Sequence, residues 1–214
     1  TVIQAPLVAA SAAIGFSQYL GYLVDLGSIE QKLVSASVIV VVTILLYRKI
    51  DSIGKIAVLL WTGVILTIGW IIIGGIAHGN FLQPLKDINA DFSWGQLASF
   101  AFGQACIKSI YSYLGYYNVC HLGAEIKNPG KNIPRSMFIS VIGIAILYIA
   151  MNMSVSSVIS WQEVKQWQDA GINTFVVSTF IERLYGHAAA NIATIMILWV
   201  ALASLFAVML GYSR

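Results

Sequence analysis

The chain has 214 residues, of which 58% are hydrophobic and 10% charged, with a formal net charge of +3 and a mean hydropathy of +0.81. Soluble domains carry about 25% charged residues, so a surface this poor in Asp, Glu, Lys and Arg cannot all face water. The small, scattered positive excess excludes a nucleic-acid-binding surface.

Six apolar segments follow one another, at 6–24, 33–47, 56–77, 97–122, 137–159 and 188–212. Five match the roughly 20 residues that a helix needs to cross the hydrocarbon; the second is short for a span and uses its flanks or tilts little. None alternates with period two, so membrane β-strands are excluded. The predicted fold is an all-α integral membrane helix bundle of about six spans in one transmembrane domain, 1–214. The chain begins at Thr1 with no charged leader and stops at Arg214 straight after an apolar run, so both ends read as cut from something longer.

Lys and Arg orient the spans. Arg48, Lys49 and Lys55 lie between the second and third segments, and Lys127, Lys131 and Arg135 between the fourth and fifth. The alternate connections carry fewer: Lys32, Lys86, and then Lys165 with Arg183. The positive-inside rule puts loops 48–55 and 124–136 in the cytoplasm, with the first helix running outward. In the outer connection 160–186, Trp161 and Trp167 suit the membrane–water boundary. Phe175 to Leu184 predicts a short amphipathic helix there. Small residues recur every fourth position at Ala9, Ala13, Ser17 and Gly21, and again at Ala203, Ala207 and Gly211. Such faces let helices approach closely in lipid.

The fourth segment differs from the rest. Lys108, Ser109, Tyr111, Ser112, Tyr113, Gly115, Tyr116, Tyr117, Asn118 and His121 cluster along it. A helix facing lipid all round would not tolerate them, and irregular backbone at membrane depth is stable only beside protein or a water-filled cavity. A helix broken at the midplane is also how many secondary transporters build a substrate site, because half-helix ends offer free N–H and C=O groups. Lys108 costs at least ~2.5 kcal/mol at mid-span unless it is partnered. It reads either as a charge on a transport pathway or as a buried lysine satisfied by carbonyls. Tyr148, Asn152 and Ser156 share a face at four-residue spacing, which interhelical hydrogen bonds explain equally well. Ser204 is an ion-site candidate, or it bonds back to its own helix. His78, His121 and His187 read as ordinary polar residues. Cys106 and Cys120 have neither metal-ligand spacing nor a disulfide framework and read as packing residues. The sequence contains no catalytic signature and implies no metal or cofactor.

Tyr111-Ser-Tyr-Leu-Gly-Tyr-Tyr-Asn118, followed by Gly123-Ala-Glu-Ile-Lys-Asn-Pro-Gly-Lys-Asn-Ile-Pro-Arg135, resembles the signature of the amino acid–polyamine–organocation superfamily. In that family an aromatic-Gly-aromatic break in the sixth helix precedes a Glu-x-x-Asn-Pro cytoplasmic loop. Leu210-Gly-Tyr-Ser-Arg214 resembles the cytoplasmic end of the family's eighth helix, so the six segments correspond to helices three to eight. The resemblance implies inverted five-helix repeats of the leucine-transporter type. Substrate would sit between the broken first and sixth helices, only one of which is present. It also implies that Tyr111 is an aromatic gate, that Ser112, Tyr113 and Gly115 form the unwound stretch that receives a substrate ammonium, and that Tyr116 packs beneath. Glu125, Asn128 and Pro129 match the loop motif. Two features depart from the family. Ala124 stands where many relatives have a second acid before the loop, and the stretch Leu60–Ile65 lacks the lysine of proton-coupled relatives, which leaves Lys108 as a candidate substitute.

The function these readings imply is secondary transport of an amino acid by alternating access, as an exchanger or a cation- or proton-coupled symporter, in the cell membrane. No Asp or Glu lies between Gly95 and Ala124, which favours a neutral amino acid over a polyamine or another amine. A non-transporting anchor or sensor subunit on the same fold is the competing expectation.

Overall fold

The computed structural model describes residues 4–47, 50–80, 82–84, 95, 100–113, 115, 120, 123, 126–170 and 175–212, apart from the side chains of 4, 50–52, 101 and 111. The elements are helices α1 (Gln4–Leu20), α2 (Ser28–Leu46), α3 (Ile50–His78), α4 (Phe100–Ser112), α5 (Pro129–Ser156), α6 (Trp161–Asp169), α7 (Val176–Tyr185) and α8 (His187–Tyr212). Four of the described helices are long and apolar enough to cross a membrane: Ser28–Leu46, Ile53–His78, Pro129–Ser156 and His187–Tyr212. The apolar helix at Ala5–Leu20 is shorter. The molecule is an all-α membrane helix bundle.

Several helices start earlier than apolarity alone indicates, because capping operates where hydropathy does not. The second predicted segment begins at Leu33, but α2 starts at Ser28, where the Gly27 N–H donates to the Glu30 carboxylate at 2.8 Å. That bond satisfies a donor that the first turn would otherwise leave orphaned. α5 starts at Pro129 rather than near Met137, since proline at the first helical position forfeits a donor that has no partner there anyway. In the connection 160–186, the amphipathic helix appears as α7. A further helix, α6, precedes it, opened by Ser160, whose Oγ accepts from the Glu163 N–H at 3.3 Å.

Helix α8 is the axis of the bundle. One buried cluster joins Ala13 of α1, Val42 of α2, Ile53 and Leu60 of α3, and Ala203, Leu205 and Phe206 of α8. A second joins Ile71 of α3, Ile159, Phe180 and Ile181 of α7, and Ala193 of α8. The small-residue stripe of α1 faces inward at Ala13 and Ser17, both buried. In α8, Ala203 and Gly211 are buried, while Ala207 opens onto a cavity.

Helices α3 and α5 run parallel and almost touch. A Cβ added at Gly75 would lie 2.4 Å from the Ser154 Cβ, and one at Gly79 would lie 1.9 Å from the Ser157 Oγ. The Ser154 hydroxyl donates to the Ile72 carbonyl at 3.4 Å, and the Asn80 N–H donates to the Ser157 carbonyl at 3.1 Å. Close approach through small residues, with a hydroxyl crossing between the helices, is the expected packing where water supplies no drive to associate.

Candidate functional site

The fourth segment is predicted to carry a break, and α4 stops at Ser112 inside it. The Tyr113 N–H turns back to the Ile110 carbonyl at 3.1 Å. Gly115 then adopts φ 108°, a conformation open to glycine and strained for other residues. Past the last turn the helix carbonyls lose their intrahelical donors. One replacement comes from α5: the Tyr148 hydroxyl donates to the Ser112 carbonyl at 3.0 Å. The Tyr113 and Tyr148 rings meet edge-on with centroids 5.4 Å apart. Tyr148 lies eight residues before the end of α5 at Ser156, about 12 Å along the helix axis at 1.5 Å per residue. It is also the midpoint of the predicted span 137–159.

Around this end the sequence candidates are distributed unevenly. Ser112 is exposed and its hydroxyl donates to the Lys108 carbonyl at 3.0 Å, while Tyr113 and Gly115 are half-buried. Lys108 is exposed, on a helix whose described side chains from Phe102 to Ile110 are exposed throughout, rather than enclosed by carbonyls. Cys106 and Cys120 are exposed too. Tyr111 falls in the last turn of α4, but its side chain, together with Tyr116, His121 and Glu125, lies outside the described residues.

The loop motif sets the start of α5. Asn128 caps the helix in the left-handed region at φ 49°, which asparagine tolerates better than most residues, and Pro129 follows as the first helical residue. The Asn132 amide donates to the Lys127 carbonyl at 2.6 Å, closing the loop locally.

Ser204 sits apart from α4. It lines an open, largely apolar cavity of about 720 Å³ between α3 and α8, with Leu60, Trp61, Val64, Ala207 and Ile144 of α5. Of the polar face predicted on α5, Tyr148 crosses to α4, whereas Asn152 bonds back to the Tyr148 carbonyl of its own helix at 2.8 Å. The polar residues that meet α3 are Ser154 and Ser157, which the four-residue spacing did not single out.

Sequence reasoning also passed over a polar constellation where α1, α7 and α8 meet. The Tyr22 hydroxyl donates to Glu182 at 3.1 Å, and His187 Nδ1 lies 3.2 Å from the same carboxylate. His78 lies 3.5 Å from the Tyr185 hydroxyl. Tyr22 and Glu182 are 160 positions apart, so periodicity could not have paired them. On α6 and α7, Arg183 forks onto Glu163, one arm at 3.0 Å, and stands 5.7 Å over the Trp167 ring. This pairing holds the Glu163 carboxyl below its usual range.

A family model described as amino acid permease matches residues 1–214, the whole chain. The chain belongs to the amino acid permease family. Similar proteins include the serine/threonine exchanger SteT of Bacillus subtilis, 21% identical over 92% of this chain and 42% of that protein. The human b(0,+)-type amino acid transporter 1 is 25% identical over 77% of the chain and 28% of its own length. The high-affinity methionine permease of Saccharomyces cerevisiae is 24% identical over 78% and 28%. This permease-family chain thus spans less than half the length of the curated relatives it matches. Members of the family are transporters rather than enzymes.

Proposed function

We propose that the protein is a secondary transporter that moves a neutral amino acid across the cell membrane by alternating access, on a fold of inverted five-helix repeats. The observation that carries this reading is the end of α4 beside Tyr148 of α5, with Ser112 at its last turn and Gly115 at φ 108° just beyond. Such an end presents backbone carbonyls to a substrate ammonium in a low-dielectric setting, where a charge-assisted hydrogen bond is strong. Tyr111, Ser112, Tyr113, Gly115 and Tyr116 form the substrate site in this reading, and Glu125, Asn128 and Pro129 hold the adjoining loop. Lys108 and Ser204 are the coupling candidates. Two of the relatives are named for serine, threonine or methionine, which carry no side-chain charge, and the absence of Asp and Glu between Gly95 and Ala124 supports the same neutral choice. The exchanger among them favours exchange over coupled uptake.

The parallel course of α3 and α5 supports the orientation. It brings their N-terminal ends, with Lys55 and with Lys127, Lys131 and Arg135, to one surface, which we assign with loops 48–55 and 124–136 to the cytoplasm.

Counterflow tests the proposal. The full-length protein is reconstituted in proteoliposomes with a panel of labelled neutral amino acids and polyamines, with and without a proton gradient. Accumulation of a neutral amino acid, lost in Tyr111→Ala, is the expected result. Loss of only the gradient response in Lys108→Ala assigns coupling to that lysine. Folded protein that moves no panel member would replace the proposal with the anchor-or-sensor reading.

A further inference from the structure

A second cavity, of about 530 Å³, opens where the end of α1 and the start of α2 meet Phe175, the residue before α7. Gln18, Tyr19, Gly21, Asp25, Gln31 and Phe175 line it, and most of the lining is polar. Its volume lies in the range of small-molecule sites, about 300–1,000 Å³.

The walls have a definite chemistry. Phe175 is held edge-on between two tyrosines, with ring centroids 5.7 Å from Tyr19 and 5.4 Å from Tyr22. Tyr22 is in turn tied to Glu182, so the aromatic wall is braced from behind. Among the described residues, Asp25 is the one charged lining group, is exposed, and has no ion-pair partner. The Gln31 amide nitrogen is turned to the Leu26 carbonyl at 3.4 Å, which leaves its oxygen as an acceptor. A lone carboxylate, amide oxygens and π-faces together select a cation, and the rings select one with an organic body. A calcium ion would want six or more oxygens and several carboxylates.

We propose that this cavity binds the primary ammonium group of a small organic ligand, with Asp25 as its counter-ion, Tyr19 and Phe175 against its carbon body, and Gln18 and Gln31 accepting its remaining protons. The assignment stands independently of the transport reading. Both amino acids and simple amines carry the recognised group.

The test places 3-fluorotyrosine at position 19 of the full-length protein in nanodiscs and follows its fluorine resonance during titration. The probes are alanine, n-butylamine, N-acetylalanine and calcium chloride, and the background carries Tyr111→Ala so that a signal from the α4 site cannot contribute. A saturable shift with alanine or butylamine, absent with N-acetylalanine, is expected. Asp25→Asn should weaken it at least about tenfold, the loss that follows from removing one charged hydrogen-bond partner. Phe175→Leu keeps the apolar bulk and removes the ring face, so it should weaken binding several-fold even where Asp25→Asn fails to fold. A response to alanine alone means that the amides also read a carboxylate, and an equal response to butylamine means that the ammonium suffices. No shift with either, an equal shift with N-acetylalanine, or a shift with calcium alone overturns the proposal. Counterflow and this resonance are separate readouts, so either reading can fail without the other.

Discussion

Replacing Gly75 and Gly69 by alanine, one at a time, tests whether α3 and α5 are held by close approach. Both glycines lie in α3, so the gain in helix propensity, about 1 kcal/mol for glycine to alanine, is common to the two. At Gly69 nothing lies within 4 Å of the added Cβ. At Gly75 the Cβ would stand 2.4 Å from the Ser154 Cβ and 2.7 Å from its Cα. Ordinary contact begins at 3.4 Å, so α5 must retreat by about 1 Å, and backbone cannot yield as a flexible side chain would. Overpacking of this kind costs about 1–3 kcal/mol. The retreat also breaks the long Ser154–Ile72 hydrogen bond, 3.4 Å in the native packing, for which ~0.6 kcal/mol is typical between membrane helices. Gly69→Ala should therefore be neutral or stabilising by up to ~1 kcal/mol. Gly75→Ala should fall about 2–3 kcal/mol below it once the clash is included. In a chain of this size that separates the two midpoints by roughly 4–12 °C. Thermal unfolding of the purified variants, followed by tryptophan fluorescence, measures the gap. Equal midpoints, or a Gly75→Ala variant at or above wild type, would refute the close-packing argument.

Other expectations follow from single contacts. Gly115→Ala must force alanine to φ 108°, at a cost of about 1–3 kcal/mol; loss of counterflow in protein that still unfolds cooperatively is the expected outcome. Tyr148→Phe removes the donor to the Ser112 carbonyl while keeping the ring pair with Tyr113. Amide exchange at 110–113 should accelerate with little change in the midpoint. Thr194→Val leaves the buried Ser178 hydroxyl, 2.8 Å away in the native structure, without that partner, and should destabilise by about 1–3 kcal/mol in the same unfolding assay. The Glu163 carboxyl is lowered by its hydrogen bond to Arg183. The pair therefore contributes above the ordinary carboxylate range, and its contribution is lost as the pH falls through the lowered value. Both partners are about a third exposed, so the contribution is only ~0.2–1 kcal/mol. The midpoints of wild type and Glu163→Gln should differ slightly at neutral pH and converge in acid.

How much of this was legible in the sequence depends on whether the signal is local. Apolar length marked the helices, and inward-facing small residues marked Ala13 and Ser17 in α1, because lipid imposes both one segment at a time. Helix starts were legible only through caps. Gly27 with Glu30, Ser160 with Glu163, and Asn128 with Pro129 extend or create helices beyond the apolar runs. The contacts that join helices were not legible. Gly75 meets Ser154, Tyr22 meets Glu182 and Tyr148 meets Ser112 across gaps that no period spans. The end of α4 at Ser112, within the segment expected to break, lies between these cases. A run of tyrosines around Gly115 was enough to expect it, since a lipid-facing helix would not carry them. At that end a residue thirty-six positions on takes part, since the Tyr148 hydroxyl donates to the Ser112 carbonyl. This helix end thus draws on two sequence elements, one that weakens the helix and one elsewhere that accommodates a freed backbone group, and only the first can be read from the segment itself.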